Sequence, residues 1–142
     1  GAWHAGCAVG NKKGIGVEIA NACYPKYQSW YEKRGFGKRV VREDLSVHGK
    51  KVGPYTDFYP VQIDALKSLW HAIHHGIKIP LEIPEDANGN NLFGVHKECV
   101  SGKFKGFCNH YNFTKNKVDC ASLDMRSLIE DVKKMPQYCP DK

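Results

Sequence analysis

The run His110-Tyr111-Asn112-Phe113-Thr114-Lys115-Asn116-Lys117-Val118-Asp119-Cys120 gathers an imidazole, a lysine, a carboxylate and a thiol on one short stretch of chain. Imidazole nitrogen and thiolate sulfur are donors that zinc takes in tetrahedral geometry, and a catalytic zinc keeps one position free for water. A histidine and a cysteine at this spacing also describe a half-buried imidazole beside a core or disulfide-bonded cysteine. Spacing alone leaves both readings open.

Other groups invite metal chemistry less. His71, His74 and His75 share one side of a helix, because positions three and four apart are neighbours on its surface. His71 and His75 project opposite the Leu66-Ile73-Ile77 stripe, so a solvated face is expected. His96 and Cys99 could join Cys108 in a nitrogen–sulfur zinc knot, or the two cysteines could form a disulfide; the spacing fits no standard zinc finger. His48 has no evident partner.

The elements that must carry these residues follow from periodicity. Gly14-Ile15-Gly16-Val17-Glu18-Ile19-Ala20 alternates apolar with small or polar residues and reads as a buried strand. Residues 24–58, rich in Tyr, Gly, Lys and Arg, read as a long surface excursion with a short strand at Arg39-Val40-Val41. Its rings Tyr24, Tyr27, Trp30, Tyr31 and Phe36 suit either a saccharide groove or packing of the excursion onto the core. From Pro60 to Ile77, apolar residues recur at three- and four-residue steps, with Pro60 suited to the first turn and Gly76 to the end. A loop broken by Pro80, Pro84 and Gly89 runs to about Gly102, and a short strand is expected at Gly106–His110. A final helix follows Ser122, whose hydroxyl can cap it, with Asp124 favourable near its positive end and Met125, Leu128, Ile129 and Val132 as its stripe. Strands alternating with helices predict an α/β domain spanning residues 1–142.

The order of these features resembles a known family. Ala2-Trp3-His4-Ala5-Gly6, then Asn11, then Gly14-Ile15-Gly16-Val17-Glu18-Ile19, is similar to a segment of the zinc amidases related to peptidoglycan recognition proteins and amidase-type phage lysozymes. Pro60-Val61-Gln62 at the head of the long helix and Cys120-Ala121-Ser122-Leu123-Asp124 before the last one match as well, so the resemblance runs from residue 2 to about 134. It implies a central mixed sheet flanked by helices, zinc (Zn2+) as cofactor, peptidoglycan as partner, and hydrolysis of the amide between N-acetylmuramic acid and L-alanine. The setting implied is the bacterial cell wall, with a phage endolysin or a wall-remodelling enzyme as the source. A peptidoglycan-binding module without catalysis is the alternative.

Residue by residue, the resemblance implies His110 and Cys120 as zinc ligands, Glu18 as the carboxylate serving the zinc-acidified water, and Lys117 as the lysine facing the developing oxyanion. Trp3, His4 and Asn11 would border the substrate. The chain departs from the family twice. The family's lysine commonly lies two residues before the last ligand, where this sequence has Val118; counted from Lys117, Asp119 becomes the alternative ligand, and with sulfur preferred it stands behind the metal shell. The family also carries a strand, a helix and a second strand, with the first zinc histidine, ahead of the Trp-His-Ala-Gly segment, so an N-terminal portion is expected to be missing here.

The totals narrow the classes. Apolar residues make up 42% and charged ones 25% of 142 residues, as in an ordinary globular domain, and no run is long enough for a membrane-spanning helix. The opening residues lack the features of a signal peptide. Lys and Arg exceed Asp and Glu, 21 to 15, which favours anionic surfaces in general. The charges are scattered, without a basic stripe or nucleic-acid motif, so no specific nucleic-acid partner is expected. Six cysteines without a C-x-x-C pair leave the redox compartment open.

Overall fold

A computed structural model describes residues 4–137 of the chain; Trp3 and Cys139 lie outside the described residues. The dominant element is the helix α3, Pro60–Ile77, taken here with α1 at Ala8–Lys13, α2 at Gln28–Glu32, α4 at Lys97–Ser101 and α5 at Met125–Lys134. Pro60 opens α3 where a missing N–H costs nothing, and Gln62 returns its Oε1 to the Tyr59 N–H at 3.0 Å. The helix ends one residue beyond Gly76, with Lys78 in the left-handed conformation at φ 61°. Its buried stripe is Ile63, Leu66, Trp70 and Ile73, whereas Val61, Leu69 and Ile77 face solvent.

Helix α5 packs along that stripe. Asp124, rather than Ser122, caps it, accepting the Ser127 N–H at 3.0 Å, and Met125, Leu128, Ile129 and Val132 are all buried. With Ile83, Phe107 and Leu123 they form the main core, in which Trp70 stacks on Phe107 at 4.5 Å between centroids. The Lys67–Asp131 ion pair at 2.7 Å closes the rim. A second cluster holds Leu45, Val47, Tyr111 and Ala121.

The chain is a mixture of helix and strand, as expected, but the pairing differs from the expectation. Among the described residues the strands form two antiparallel ribbons. In one, β1 (Val41–Arg42) pairs with β4 (Tyr55–Thr56); in the other, β2 (Ser46–Val47) pairs with β3 (Lys50–Lys51). The latter turns through His48 and Gly49, both at positive φ, which suits a tight hairpin. Residues 14–20, read as a buried strand, are extended but unpaired, with Ile15 and Val17 exposed. The alternation is real, yet no neighbouring strand covers it among the described residues. The strand expected at 106–110 is instead a loop entering a 3-10 turn at His110–Asn112, and the loop to Gly102 contains α4. No helix among the described residues is long and apolar enough to cross a membrane.

Ile129 is fully buried between α5 and the core. Ile129→Ala should therefore cost roughly 3 kcal/mol, measured as a lower denaturant midpoint with an unchanged slope.

Candidate functional site

The site is organised by the corner at residues 109–112. Asn112 donates through Nδ2 to the carbonyls of Leu92 and Gly94, both at 3.0 Å, and accepts the Asn109 N–H on Oδ1 at 2.9 Å. Its own carbonyl takes the His96 N–H at 2.9 Å. Asn109 and Asn91 both donate to the Tyr111 hydroxyl, at 2.9 and 3.0 Å. Asn109 Oδ1 also accepts the Cys120 N–H at 3.4 Å. Irregular chain at this depth holds together because these asparagine amides meet its backbone groups.

His110 stands on this corner with its side chain turned outward, where Nδ1 meets the Asp119 carboxylate. The carboxylate raises the imidazole above its ordinary value. Burial and the Lys117 charge pull the other way, and the backbone of His4 adds to the rise. The Asp119 carboxyl is held below its ordinary value, chiefly by the hydrogen bond from His110. The pair is an imidazole–carboxylate contact, half-buried on the His110 side and exposed on the Asp119 side.

Cys120 is adjacent in sequence but points into the protein, packed against the main core. Burial pushes its thiol up to about 12, and the charges of Asp119 and Glu18 add to the effect. Glu18, on the exposed extended run, thus lies near the Cys120 sulfur. Gln62 anchors that run by donating Nε2 to the Ala20 carbonyl at 2.7 Å. Lys117 is exposed, and its carbonyl lies 2.9 Å from His48 Nε2; its charge reaches both His110 and Asp119. Asn11 serves the backbone, its Oδ1 accepting the N–H groups of His4 at 2.6 Å and Ala5 at 2.7 Å. Gly16 lies flat against the His4 ring, where a Cβ would come within 2.8 Å.

The structure therefore brings His4, Lys117, Asp119 and His110 together, with the charge of Glu18 reaching Cys120. It does not assemble three or more His, Cys, Asp or Glu side chains into one metal-holding group among the described residues. His71, His74 and His75 are half-buried rather than solvated, with ring centroids 4.3 Å apart for His71–His75 and 4.9 Å for His74–His75. Two concavities lie away from His110. One of about 440 Å³ is a shallow groove between α3 and α5 near Lys67 and Asp131; the other, about 210 Å³, lies beside Asp57 and Asp124.

Sequence reasoning passed over Asn109, Asn112 and Gln62 as positioning residues. The asparagines' partners are carbonyls of a remote loop, which no local pattern reveals, whereas Gln62 at the third helical position is a recognisable capping signal. No family model, curated protein or solved structure matches the chain.

The pH dependence of the pair follows from the two directions. The His110 contribution to stability is complete below the ordinary 6.5 and is lost as pH rises through its higher folded value. The Asp119 contribution is complete above the ordinary 3.8 and is lost as pH falls through its lower folded value. In the metal-free protein the His110 ring protons should titrate above 6.5 by NMR. Asp119→Asn should move that midpoint down.

Proposed function

We propose that the chain is the zinc-dependent hydrolytic part of a peptidoglycan amidase, cleaving the bond between N-acetylmuramic acid and L-alanine. The observation that supports this reading is the His110–Asp119 pair, with Lys117 beside it and Cys120 next in the chain. A metal-bound histidine is commonly oriented by a carboxylate on its other ring nitrogen, and with Nδ1 taken by Asp119 the free donor is Nε2. On this reading His110 Nε2 and the Cys120 sulfur, which here packs against the core, would hold the zinc as a nitrogen–sulfur pair once Cys120 turned toward the imidazole, with Asp119 behind the ring. Zinc supplies Lewis acidity toward the scissile carbonyl and toward water.

The chain's own residues then have distinct tasks. Asp119 holds the His110 ring in one orientation. Glu18, exposed beside Cys120, can take the proton of the attacking water and pass it to the departing amine. Lys117, free in solvent, can meet negative charge as it grows on the carbonyl oxygen. The exposed rings of Tyr24, Tyr27 and Phe36 offer stacking faces for sugar, while Trp30 carries the Arg34 guanidinium 3.7 Å from its centroid. Tyr31 is used inwardly, under the Arg39 guanidinium 4.1 Å from its centroid. The fold that the amidase reading implies, a central mixed sheet flanked by helices, would require the run 14–20, unpaired among the described residues, to gain a neighbouring strand.

A second reading, a binding module for peptidoglycan without catalysis, is favoured by one observation. Asp119 and the His4 backbone both stabilise the protonated imidazole, and a protonated ring does not ligate metal.

Zinc content and wall lysis separate the two. The amidase reading predicts about one zinc per chain and dye release from stained walls that Cys120→Ala abolishes. Lys117→Ala should reduce release on the order of a hundredfold. Sedimentation with walls at near-zero zinc and no dye release would instead establish the binding module, and equal release by wild type and Cys120→Ala would overturn the ligand assignment.

A further inference from the structure

The C-terminal part of α3 carries three imidazoles, His71, His74 and His75, all half-buried. Two of them face each other. Residues four apart on a helix are surface neighbours, with Cβ atoms roughly 5–6 Å apart. The His71 and His75 rings meet edge to face, with centroids 4.3 Å apart and planes inclined at 62°. The third imidazole serves the fold. His74 donates from Nδ1 to the Ile79 carbonyl at 2.7 Å, across the left-handed Lys78 that ends the helix.

The facing pair is short of partners. His71 Nε2 is buried and meets no hydrogen-bonding group, although buried polar atoms are ordinarily matched. Among the described residues the one histidine–carboxylate pair is that of His110, so no carboxylate holds either ring on α3 as a cation. Burial keeps the His75 imidazole below its ordinary value, and His71, His74 and Lys78 add to the effect. A neutral ring keeps a nitrogen lone pair, and that is the form that binds a metal ion. The end of α3 is also the negative pole of the helix dipole, which favours a cation.

We propose that His71 and His75 form a two-imidazole site for a divalent first-row transition ion, its remaining positions filled by water. Two histidines four apart on one helix face are the spacing at which helical metalloprotease motifs hold zinc. Those motifs place a glutamate base directly after the first histidine, where this chain has the exposed Ala72. The site therefore holds an ion without a neighbouring base to activate its water. Imidazole suits zinc, copper and nickel, with affinity greatest for Cu(II). A turn of the His75 ring out of its edge-to-face contact brings one nitrogen from each residue to a common ion. The buried Nε2 of His71 then gains the partner it lacks.

The site shares no residue with the wall-hydrolysis reading, and its test is separate. The chain has free thiols, Cys99 and Cys108 among them, which Cu(II) would oxidise, so the probe is NiCl2 added to the whole chain without an affinity tag. One equivalent should broaden the His71 and His75 ring signals in the NMR spectrum, in the wild type and in His110→Ala alike, and EDTA should restore them. By titration calorimetry, His71→Ala and His75→Ala should each weaken Ni(II) binding by about tenfold or more, since losing even an outer-shell partner of a ligand costs about that much. His75→Ala is the deciding variant, because alanine is the best helix former and circular dichroism should show α3 intact. Ring signals that stay sharp, broadening that begins at His110 or another imidazole, or wild-type affinity in His75→Ala would each refute the site.

Discussion

The structure around His110 depends on satisfying the backbone of a chain that is neither helix nor sheet. Between Pro80 and Ala121 the only regular elements are one short helix and one 3-10 turn. The carbonyls of Leu92 and Gly94 are met by the amide of Asn112, which also supports Asn109. An unmet buried polar group costs about 1–3 kcal/mol, so this single side chain holds the 91–96 loop, the 109–112 corner and, through Asn109, the start of the Cys120 segment. Hydrophobic burial could not do this, because it has no direction. The core of α3 and α5 supplies the mass of the fold, and the asparagines supply its register at the site.

The same division of labour recurs at the opposite end of α3. Gln62 satisfies the helix start with one amide atom and the extended run with the other. Arg39, buried to 7% exposure, bonds Gln28 and Asn21 and lies against Tyr31 and Tyr59. A planar guanidinium is suited to this, offering several donors in its plane and a face for rings. Through these two residues the run carrying Glu18 and the aromatic excursion are fixed to the helical core. The aromatic cluster is thus split: Tyr31 packs inward while Tyr24, Tyr27 and Phe36 stay exposed.

What could be read from the sequence was what depends on local period. Helix α3 was visible to within a residue because its apolar spacing, Pro60 and Gly76 all agree, and the stripe of α5 was visible from its apolar spacing. The strand readings failed where alternation was the only argument. Ile15, Val17 and Ile19 alternate as a strand should, but a strand exists only through a partner, and none covers them among the described residues. The proximity of His110 to Asp119 is partly legible from their short separation. That Cys120 would pack against the core is not, because it depends on how Asn109 seats the Cys120 N–H. The approach of Glu18 to Cys120 joins segments a hundred residues apart and leaves no local trace.

The protonation state of His110 links these structural facts to chemistry. A carboxylate at Nδ1 has opposite consequences in two circumstances. With solvent at Nε2 it stabilises the proton and makes the ring a cation. With an electrophile at Nε2 the same carboxylate fixes the tautomer and strengthens the ring as a donor. The His4 backbone supports the first state through a neutral carbonyl, and a charge-assisted bond such as that to Asp119 is roughly twice as strong as a neutral one. Of the two, the His4 contact is therefore the easier to displace, and the ring would keep its orientation while exchanging a proton for another ligand. The Cys120 thiol obeys the same logic. Burial keeps its proton in place, and on the amidase reading a bound metal ion would remove it. On the amidase reading, a metal ion engaging either donor would displace its proton, so metal affinity at this corner would rise with pH.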